Sequence, residues 1–265
     1  MAGSFFLSVC ALLLATDGLA ASLVCSFADE QGKALRNVAI QVVSAEGGEP
    51  RYQRSDKHGQ AIFKSLKAGV YELRAQLKDH VPLRWEVTIS EDKNLALTLM
   101  TGKGFETLDQ EAGQAINNRD FNKAQGVLQK LVAAYPEDAV LHHGLGRAYA
   151  GQLQEDKALA EAEKAARLDS QYSDAKRITE LFILRERGER ALEGRDFAAA
   201  AEFFEKMIKL DPKDAEAYYG MALAYGHLEN YQKALPAINR AVTLDPQNSA
   251  YLKVKEILEG NARAK

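Results

Sequence analysis

An internal repeat constrains this chain more than any other feature of its 265 residues. The segment RDFNKAQGVLQKLVAAYP, residues 119–136, returns 76 positions later as RDFAAAAEFFEKMIKLDP, residues 195–212. In both copies an aromatic residue stands fifteen positions before a proline, and YQKALPAINRAVTLDP, residues 231–246, keeps that interval. A chain with such self-similarity builds one supersecondary unit several times and stacks the copies against each other.

The periodicity of the apolar residues shows what kind of unit is repeated. From about residue 105 onward, apolar residues recur three and four positions apart and alanine is abundant. Turn signals such as NNRD, YPED, EGRD and LDPKD divide this region into paired helices of about 12 to 16 residues. The region therefore predicts an all-α domain, residues 105–265, that ends in an amphipathic capping helix over residues 249–261.

The repeat length points to a known family. A 34-residue period with a small residue, an aromatic residue four positions later and a proline near the end is typical of the tetratricopeptide repeat, TPR. Residues 105–265 resemble this family, and the resemblance implies an α-solenoid with repeats at 105–138, 139–172, 181–214 and 215–248. In the second repeat Leu145, Gly146 and Tyr149 follow the pattern, whereas Ser170 stands in place of the proline.

Eight residues, SDAKRITE at 173–180, lie outside the 34-residue frame and contain no glycine or proline. Because eight residues make about two helical turns, they can lengthen the first helix of the third repeat without rotating its face. Two repeats and this insertion account for the 76-residue interval. The sequence therefore predicts a long helix from Ser173 to Glu193.

Residues 22–100 follow a period of two instead. The segment NVAIQVV places Val38, Ile40 and Val42 on one face, and VYELRAQL, LRWEVTI and NLALTLM alternate in the same way. Turn clusters such as AEGGEP, SDKHGQ and KDHVP separate these segments at intervals of about ten residues. The pattern predicts about seven half-buried strands in an antiparallel β-sandwich.

The turns of this region also resemble a family. Asp29, Gly32 and Leu35 precede the first alternating segment, and SDKHGQAIFKSLKAGVYEL follows at residues 55–73. With these motifs, residues 22–100 resemble the carboxypeptidase regulatory-like domain, a transthyretin-like sandwich; Cys25 replaces a frequent glycine, and KDHVP replaces the usual Gly-Tyr turn. The resemblance implies an accessory module of exported proteins, related to carbohydrate-binding-like folds, that has no catalytic residues.

The two periodicities meet at TGKG, residues 101–104. The joint is short, so we expect a tether of a few residues and two domains that fold separately. The expected fold class is multi-domain, β plus all-α: a seven-stranded antiparallel β-sandwich followed by a TPR α-solenoid.

The first twenty residues differ from the rest. The apolar run SFFLSVCALLLAT, residues 4–16, is shorter than the roughly 20 residues needed to span a bilayer, and Gly18-Leu19-Ala20 follows it. This pattern predicts a signal peptide over residues 1–20, cleaved after Ala20, with no membrane span left afterwards. The expected location is exported, periplasmic or secreted, in a bacterial envelope. MAGS carries no basic residue, so either the terminal amine alone supplies the positive charge or the true start lies upstream. A retained apolar tail is the alternative to a cleaved signal.

Several classes of function are disfavoured by composition and motifs. A net charge of −3 without runs of like charge argues against nucleic acid as a partner. No nucleophile, phosphate-loop or zinc-protease motif occurs, so we expect no enzyme, no catalytic residue and no cofactor. His142 and His143 are adjacent, and helical neighbours point about 100° apart, so we expect no metal site.

Cysteine usage agrees with export. Cys10 lies in the expected signal peptide, which leaves Cys25 as the single thiol of the mature chain and excludes an intramolecular disulfide. Cys25 alternates in phase with Leu23 and Phe27. It is therefore expected to be an inert core cysteine and not a reactive or metal-binding one.

The TPR resemblance also implies a binding surface, because the first helices of the repeats form a concave groove that binds peptides or helices. Nine residues fall on groove positions: Asp109, Asn117, His143, Arg147, Arg185, Glu189, Tyr219, His227 and Lys253. The predicted peptide-binding groove consists of His143, Arg147, Arg185, Glu189, Tyr219 and His227. Gly113 occupies the position of the asparagine that cochaperone members use to grip a terminal carboxylate, so that specific activity is not expected.

Two functions of different classes remain. The first is a non-enzymatic exported scaffold that binds an envelope protein or peptide, in the groove or on the convex side or the long helix. The second is a carbohydrate-binding envelope protein whose sandwich anchors the repeats to polysaccharide. A sugar platform needs exposed aromatic rings, yet Trp85 alternates in phase with core residues and Tyr52 is the one obvious exposed ring. The pattern favours the scaffold.

Overall fold

A computed structural model describes residues 20–263 of the chain. The chain divides into two compact units, with the boundary between Gly102 and Lys103. The expected signal peptide, residues 1–20, lies outside the described residues except for Ala20, so its cleavage stays a prediction.

The first unit is a β unit. Its seven described strands are β1 (Ala21–Ala28), β2 (Ala39–Ser44), β3 (Arg51–Arg54), β4 (Gln60–Leu66), β5 (Gly69–Gln76), β6 (Leu83–Ile89) and β7 (Lys93–Thr98). The number of strands agrees with the prediction. They form two sheets, one of three strands in the order β4-β1-β7 and one of four strands in the order β3-β2-β5-β6.

The direction of one strand pair differs from the prediction. All pairs of the four-stranded sheet are antiparallel, but β1 and β7 run parallel, with Leu23 opposite Lys93 and Ala28 opposite Thr98. The expectation of a wholly antiparallel fold was therefore wrong for this pair. Alternation of apolar residues reports which face of a strand is buried, and it carries no information on the direction of the neighbouring strand.

Both sheets bury one face. Alternate residues of β1, namely Ala21, Leu23, Cys25 and Phe27, are buried, as are Val38, Ile40 and Val42 around β2. These positions were predicted from the period of two. Trp85 was expected in the core but is only half-buried. It lies on β6, an edge strand of the four-stranded sheet, so one of its flanks has no neighbouring strand to cover it.

The second unit is helical. Its described α-helices are α1 (Gly102–Asn117), α2 (Phe121–Ala134), α3 (Ala139–Gly151), α4 (Glu155–Leu168), α5 (Ala175–Glu193), α6 (Phe197–Leu210), α7 (Ala215–His227), α8 (Tyr231–Leu244) and α9 (Ser249–Arg263). Helix α5 has 19 residues and ends at Glu193, as predicted. It begins two residues later than predicted, because Ser170–Tyr172 forms a turn of 3₁₀ helix ahead of it.

The turns inside the hairpins repeat one local geometry. Arg119, Leu153, Arg195 and Glu229 each have a positive φ between 57° and 61° and stand two residues before the second helix of their hairpin. In three of these turns the next residue caps that helix, since Asp120, Asp196 and Asn230 accept a hydrogen bond from a backbone N–H three residues later. Gln154 makes no such cap. The repeat in sequence is thus also a repeat of backbone conformation.

Small residues let the helices of this unit approach closely. The ring of Phe204 on α6 lies between Gly188 of α5 and Gly220 of α7. A Cβ atom built on Gly188 would lie 2.8 Å from that ring, and one on Gly220 would lie 2.4 Å from it. Phe204 is buried, so it fixes the distance between α5 and α7 and forms the floor of the site described next.

Candidate functional site

A groove lies between helices α5 and α7 and the start of α9. This α5–α7 groove has a volume of about 480 Å³ and is lined by Arg119, Phe182, Arg185, Glu186, Glu189, Leu192, Phe204, Met207, Glu216, Tyr219, Gly220, Leu223, Asn248 and Tyr251. Phe204, Met207 and Gly220 form a buried floor. The α5 face contributes charged residues and the α7 face contributes Tyr219 and Leu223. Because these residues lie on packed helices, their backbone is held rigidly.

Arg185 crosses the groove from α5 to the first turn of α7. One guanidinium nitrogen lies 2.7 Å from a Glu216 carboxylate oxygen, and another lies 3.4 Å from Asp214. Asp214 is also the N-cap of α7, where its side chain accepts a hydrogen bond from the Ala217 N–H. The Nε atom of Arg185 is buried, and it has no hydrogen-bond partner among the described residues.

A second ion-pair cluster lies on α5. Arg119, from the turn between α1 and α2, donates to Glu186 at 2.8 Å and to Glu189 at 2.9 Å. The side chain of Glu189 is partly exposed, whereas Glu186 is 1% exposed. Burial raises the pKa of Glu186, which the positive charge of Arg119 opposes and the nearby carboxylates of Glu189 and Glu193 reinforce.

Two tyrosine rings form the opposite end of the groove. Tyr219 of α7 and Tyr251 of α9 have ring centroids 4.9 Å apart and planes inclined by 33°. Burial raises the pKa of Tyr251, and the carboxylates of Glu216, Asp245 and Asp214 raise it further. Together with Phe182, Leu192 and Leu223, these rings give the groove an apolar wall beside its charged rim.

The structure brings together three of the six predicted groove residues: Arg185, Glu189 and Tyr219. His143 and Arg147 lie on α3 and do not line this cavity. The half-buried His143 ring packs against Tyr172 at 5.2 Å, and burial together with the charge of Arg147 lowers its pKa.

His227, the sixth predicted residue, is also placed elsewhere. It is the last residue of α7, and its ring stacks on Phe197 with centroids 4.3 Å apart. The repeat pattern predicts that His227 lies on the first helix of its repeat, which is correct. The cavity, however, is lined only by the beginning and the middle of α7, and His227 lies at its end. Ligand binding by each of the six residues stays a prediction.

Sequence reasoning missed Arg119, Glu186, Glu216 and Tyr251. One signal for Glu186 was present, because it continues the spacing of Ala175, Thr179 and Ile183, the other buried residues of that face of α5. A carboxylate in such a stripe needs a buried partner. Nothing in the sequence identified that partner as Arg119, because it comes from a turn 67 residues earlier.

The histidine doublet is explained by packing. His142 is buried, and its Nε2 lies 2.9 Å from the carbonyl oxygen of Pro136 while Nδ1 faces the Glu161 carboxylate. Both ring nitrogens are therefore used within the fold. Among residues 20–263, no three histidine, cysteine or acidic side chains are grouped so that they could hold a metal ion.

The β unit has a depression on the outer face of its four-stranded sheet. The depression has a volume of about 540 Å³, and Tyr52, Arg54, Arg74 and Gln76 surround Ala39 at its centre. Tyr52 is 69% exposed, as predicted, and its hydroxyl accepts a hydrogen bond from Gln41 at 3.2 Å. A small residue at the centre of longer ones creates the space.

Comparison with known proteins finds a family match over the helices that form the groove. The family model described as Tetratricopeptide repeat matches residues 185–249. The matched segment extends from within α5 to the first residue of α9. A curated relative, a protein SGT1 homolog from Oryza sativa subsp. japonica, is 41% identical over 59 residues. The match covers 22% of this chain and 16% of that relative's length.

Solved structures of TPR proteins are similar to parts of the chain. A double mutant of MamA RS-1 is 20% identical, with a TM-score of 0.38; the match covers 61% of this chain and 85% of that one. YrrB, described as a TPR protein with an unusual peptide-binding site, is also 20% identical, with a TM-score of 0.35, and the match covers 57% of this chain and 74% of YrrB. Of the helices that the structure describes, none is long and apolar enough to cross a membrane.

Proposed function

We propose that the protein is a non-enzymatic scaffold that binds a segment of a partner protein in the α5–α7 groove. The observation that carries this proposal is the coincidence of the cavity with the matched repeat, since most of the lining residues lie within residues 185–249. TPR proteins bind protein partners, and the first helices of their repeats form the surface that does so.

The composition of the groove supports a peptide as its ligand. Arginine and tyrosine are the side chains that most often dominate protein interfaces, and Arg185, Tyr219 and Tyr251 meet here above an apolar floor. The volume of about 480 Å³ suits a few side chains of an extended segment. Polar groups at the rim can pair with the backbone of that segment.

A matched pair of substitutions tests this proposal. We would select binders to residues 21–265 from a phage library of random dodecapeptides and measure affinities by fluorescence anisotropy. Tyr219→Ala is expected to weaken binding of the selected peptides about thirtyfold, as for an anchor worth about 2 kcal/mol. Tyr218→Ala removes the same kind of side chain from the same helix outside the cavity and is expected to change affinity less than twofold. Equal effects, or no groove-dependent binder, would refute the groove as the site.

The scaffold is proposed to act after export to a bacterial envelope, in the periplasm or outside the cell. The support for this is the apolar run at residues 4–16 with the small residues Gly18 and Ala20 behind it. N-terminal sequencing of the protein expressed in a bacterial host is expected to begin at Ala21-Ser22. Intact Met1 in the cytoplasmic fraction would contradict export.

A second candidate function concerns the β unit, proposed here to be a carboxypeptidase regulatory-like β-sandwich that anchors the chain to a glycan. The depression beside Tyr52 favours it, because an exposed ring next to amide and guanidinium groups is suited to stack on and hydrogen-bond a sugar. Co-sedimentation with insoluble cell-wall polysaccharide tests this. Retention that Tyr52→Ala abolishes would support it, and retention that Tyr52→Ala leaves unchanged would exclude this face.

A further inference from the structure

We infer that the segment bound in the α5–α7 groove presents a basic side chain, lysine or arginine, flanked by an apolar one. The inference rests on the proposed function and adds the chemistry of the partner. It follows from the charges of the groove, from the position of its aromatic rings and from the exposure of its carboxylates.

The positive groups of the groove are already paired. Arg119 is held by Glu186 and Glu189, at 2.8 and 2.9 Å. Arg185 is held by Glu216 at 2.7 Å, with Asp214 at 3.4 Å. Four carboxylates therefore face two guanidinium groups, and the cluster keeps an excess of negative charge. An incoming cation would complete the pairing, whereas an incoming anion would meet repulsion.

Two of these carboxylates remain accessible. The side chains of Glu189 and Glu216 are 38% and 60% exposed, whereas Glu186 is buried below them. A carboxylate carries about four acceptor positions, so each of these two can accept further hydrogen bonds while keeping its arginine. Ion-paired hydrogen bonds of this kind are among the strongest that a protein makes with a ligand.

The wall of the groove suits the stem of a long basic side chain. Lysine and arginine bury their methylene groups along apolar surface and keep the charged head near polar groups. Here Leu192 and Leu223 supply apolar surface in the same cavity as the carboxylates, and Tyr219, packed against the buried ring of Tyr251, adds an aromatic surface that attracts a cation. The pKa of Tyr251, raised by burial and by three surrounding carboxylates, agrees with a negative field at this end.

The same features argue against an acidic partner. A terminal carboxylate is attracted to a site with net positive charge, but both groove arginines already have carboxylate partners and the cluster is net negative. The geometry therefore selects for the opposite sign of charge.

The dodecapeptides selected with residues 21–265 provide the first test. We expect lysine or arginine, next to an apolar residue, to be enriched among peptides whose binding Tyr219→Ala weakens. Replacing that basic residue by glutamine in a synthetic copy is expected to lower affinity at least tenfold. Raising the NaCl concentration from 50 to 300 mM is expected to weaken the basic peptide and to leave the glutamine copy nearly unchanged.

Variants of the groove provide the second test. The double variant Glu189→Gln/Glu216→Gln is expected to weaken the basic peptide at least fivefold and the glutamine copy less than twofold. Glu202→Gln/Glu256→Gln, a pair of exposed residues outside the groove, makes the same change in net charge and is expected to leave both affinities within twofold. Melting of each variant, followed by helical circular dichroism, establishes that the fold is intact. If the groove variant does not fold, the inference is decided by the affinities of the basic peptide and its glutamine copy for the parent protein at the two NaCl concentrations.

The outcomes separate the two proposals. Groove-dependent peptides without enriched basic residues, or an affinity that the glutamine copy retains, would overturn this inference and leave the scaffold function in place. Enrichment of acidic residues instead would overturn the inference and show that the groove selects negative charge. Absence of any groove-dependent peptide would overturn both.

Discussion

The guanidinium of Arg119 and the carboxylate of Glu186 form an ion pair 2.8 Å long although 67 residues separate them in the chain. Arg119 lies in the turn between α1 and α2 with a φ of 60°, and Glu186 lies in the middle of α5. The pair joins the first hairpin of the helical unit to the third. A buried carboxylate without its partner is strongly destabilising, so the position of α5, and with it the groove, depends on this contact.

The ionisation of Glu186 makes the stability of the helical unit depend on pH. Its pKa is raised in the folded state, mainly by burial, from an ordinary value of 4.5. Above that value, ionisation costs more in the folded than in the unfolded state, so this group lowers stability as the pH rises through the folded pKa. Glu186→Gln cannot ionise. We therefore expect the variant to gain stability relative to the parent between pH 4.5 and pH 7, measured by urea unfolding followed at 222 nm.

Glu163 provides a control for which the pH dependence of stability has the opposite sign. A hydrogen bond and the charge of Lys176 lower its pKa, so its contribution is present above its unfolded pKa and is lost as the pH falls. Glu163→Gln is therefore expected to lose stability relative to the parent as the pH rises towards 4.5, and to show no further change from there to pH 7. A pH trend of Glu186→Gln that matches that of Glu163→Gln would show that burial does not dominate at Glu186.

Two glycines of the helical unit are expected to respond oppositely to alanine. Gly113 meets no atom within 4 Å, so Gly113→Ala is expected to add about 0.5 to 1 kcal/mol to the free energy of unfolding through helix propensity. Gly220→Ala gains the same propensity but places a Cβ 2.4 Å from the Phe204 ring, which Gly188 confines on its other side. We expect a net loss of about 1 to 2 kcal/mol. Urea unfolding measures both, and stabilisation by Gly220→Ala would show that α5 and α7 can separate freely.

The hairpin turns predict a further stabilising change. Arg195 has a φ of 61°, a conformation that costs a side chain-bearing residue roughly 1 kcal/mol and that glycine adopts freely. Its side chain is exposed and makes no ion pair with any residue that the structure describes. Arg195→Gly is expected to raise the free energy of unfolding by up to about 1 kcal/mol. Arg119→Gly, with a φ of 60°, relieves the same conformation but removes the Glu186 pair, and is expected to destabilise.

The elements that sequence analysis predicted well are those set by local periodicity. The strands with alternating burial and the long helix ending at Glu193 both follow from spacing along the chain. The errors concern relations between distant segments. The parallel pairing of β1 with β7, the exposed flank of Trp85 and the partner of Glu186 depend on which elements become neighbours in space. Three of the six predicted groove residues line the cavity. The repeat pattern indicates which helices face a groove, but it does not indicate how far along each helix the cavity extends.

Cys25, the single cysteine among residues 20–263, is expected to be unreactive. Cys25 lies on the buried face of β1, and burial raises the pKa of its thiol to about 12. The thiolate is the reactive form, so at pH 8 the native protein from Ala21 onward is expected to react with a disulfide reagent at least a hundredfold more slowly than in 6 M urea, where the thiol pKa is near 8.5. Cys25→Ser places a hydroxyl at the same buried position and is expected to lower the melting temperature, because the new polar group lacks a partner there. Leu23→Ala, two positions earlier on the same face, is the control: it lowers the melting temperature and leaves the Cys25 thiol in place. Rapid labelling of the native parent would place Cys25 on an accessible surface and would remove the assignment of β1 to the core.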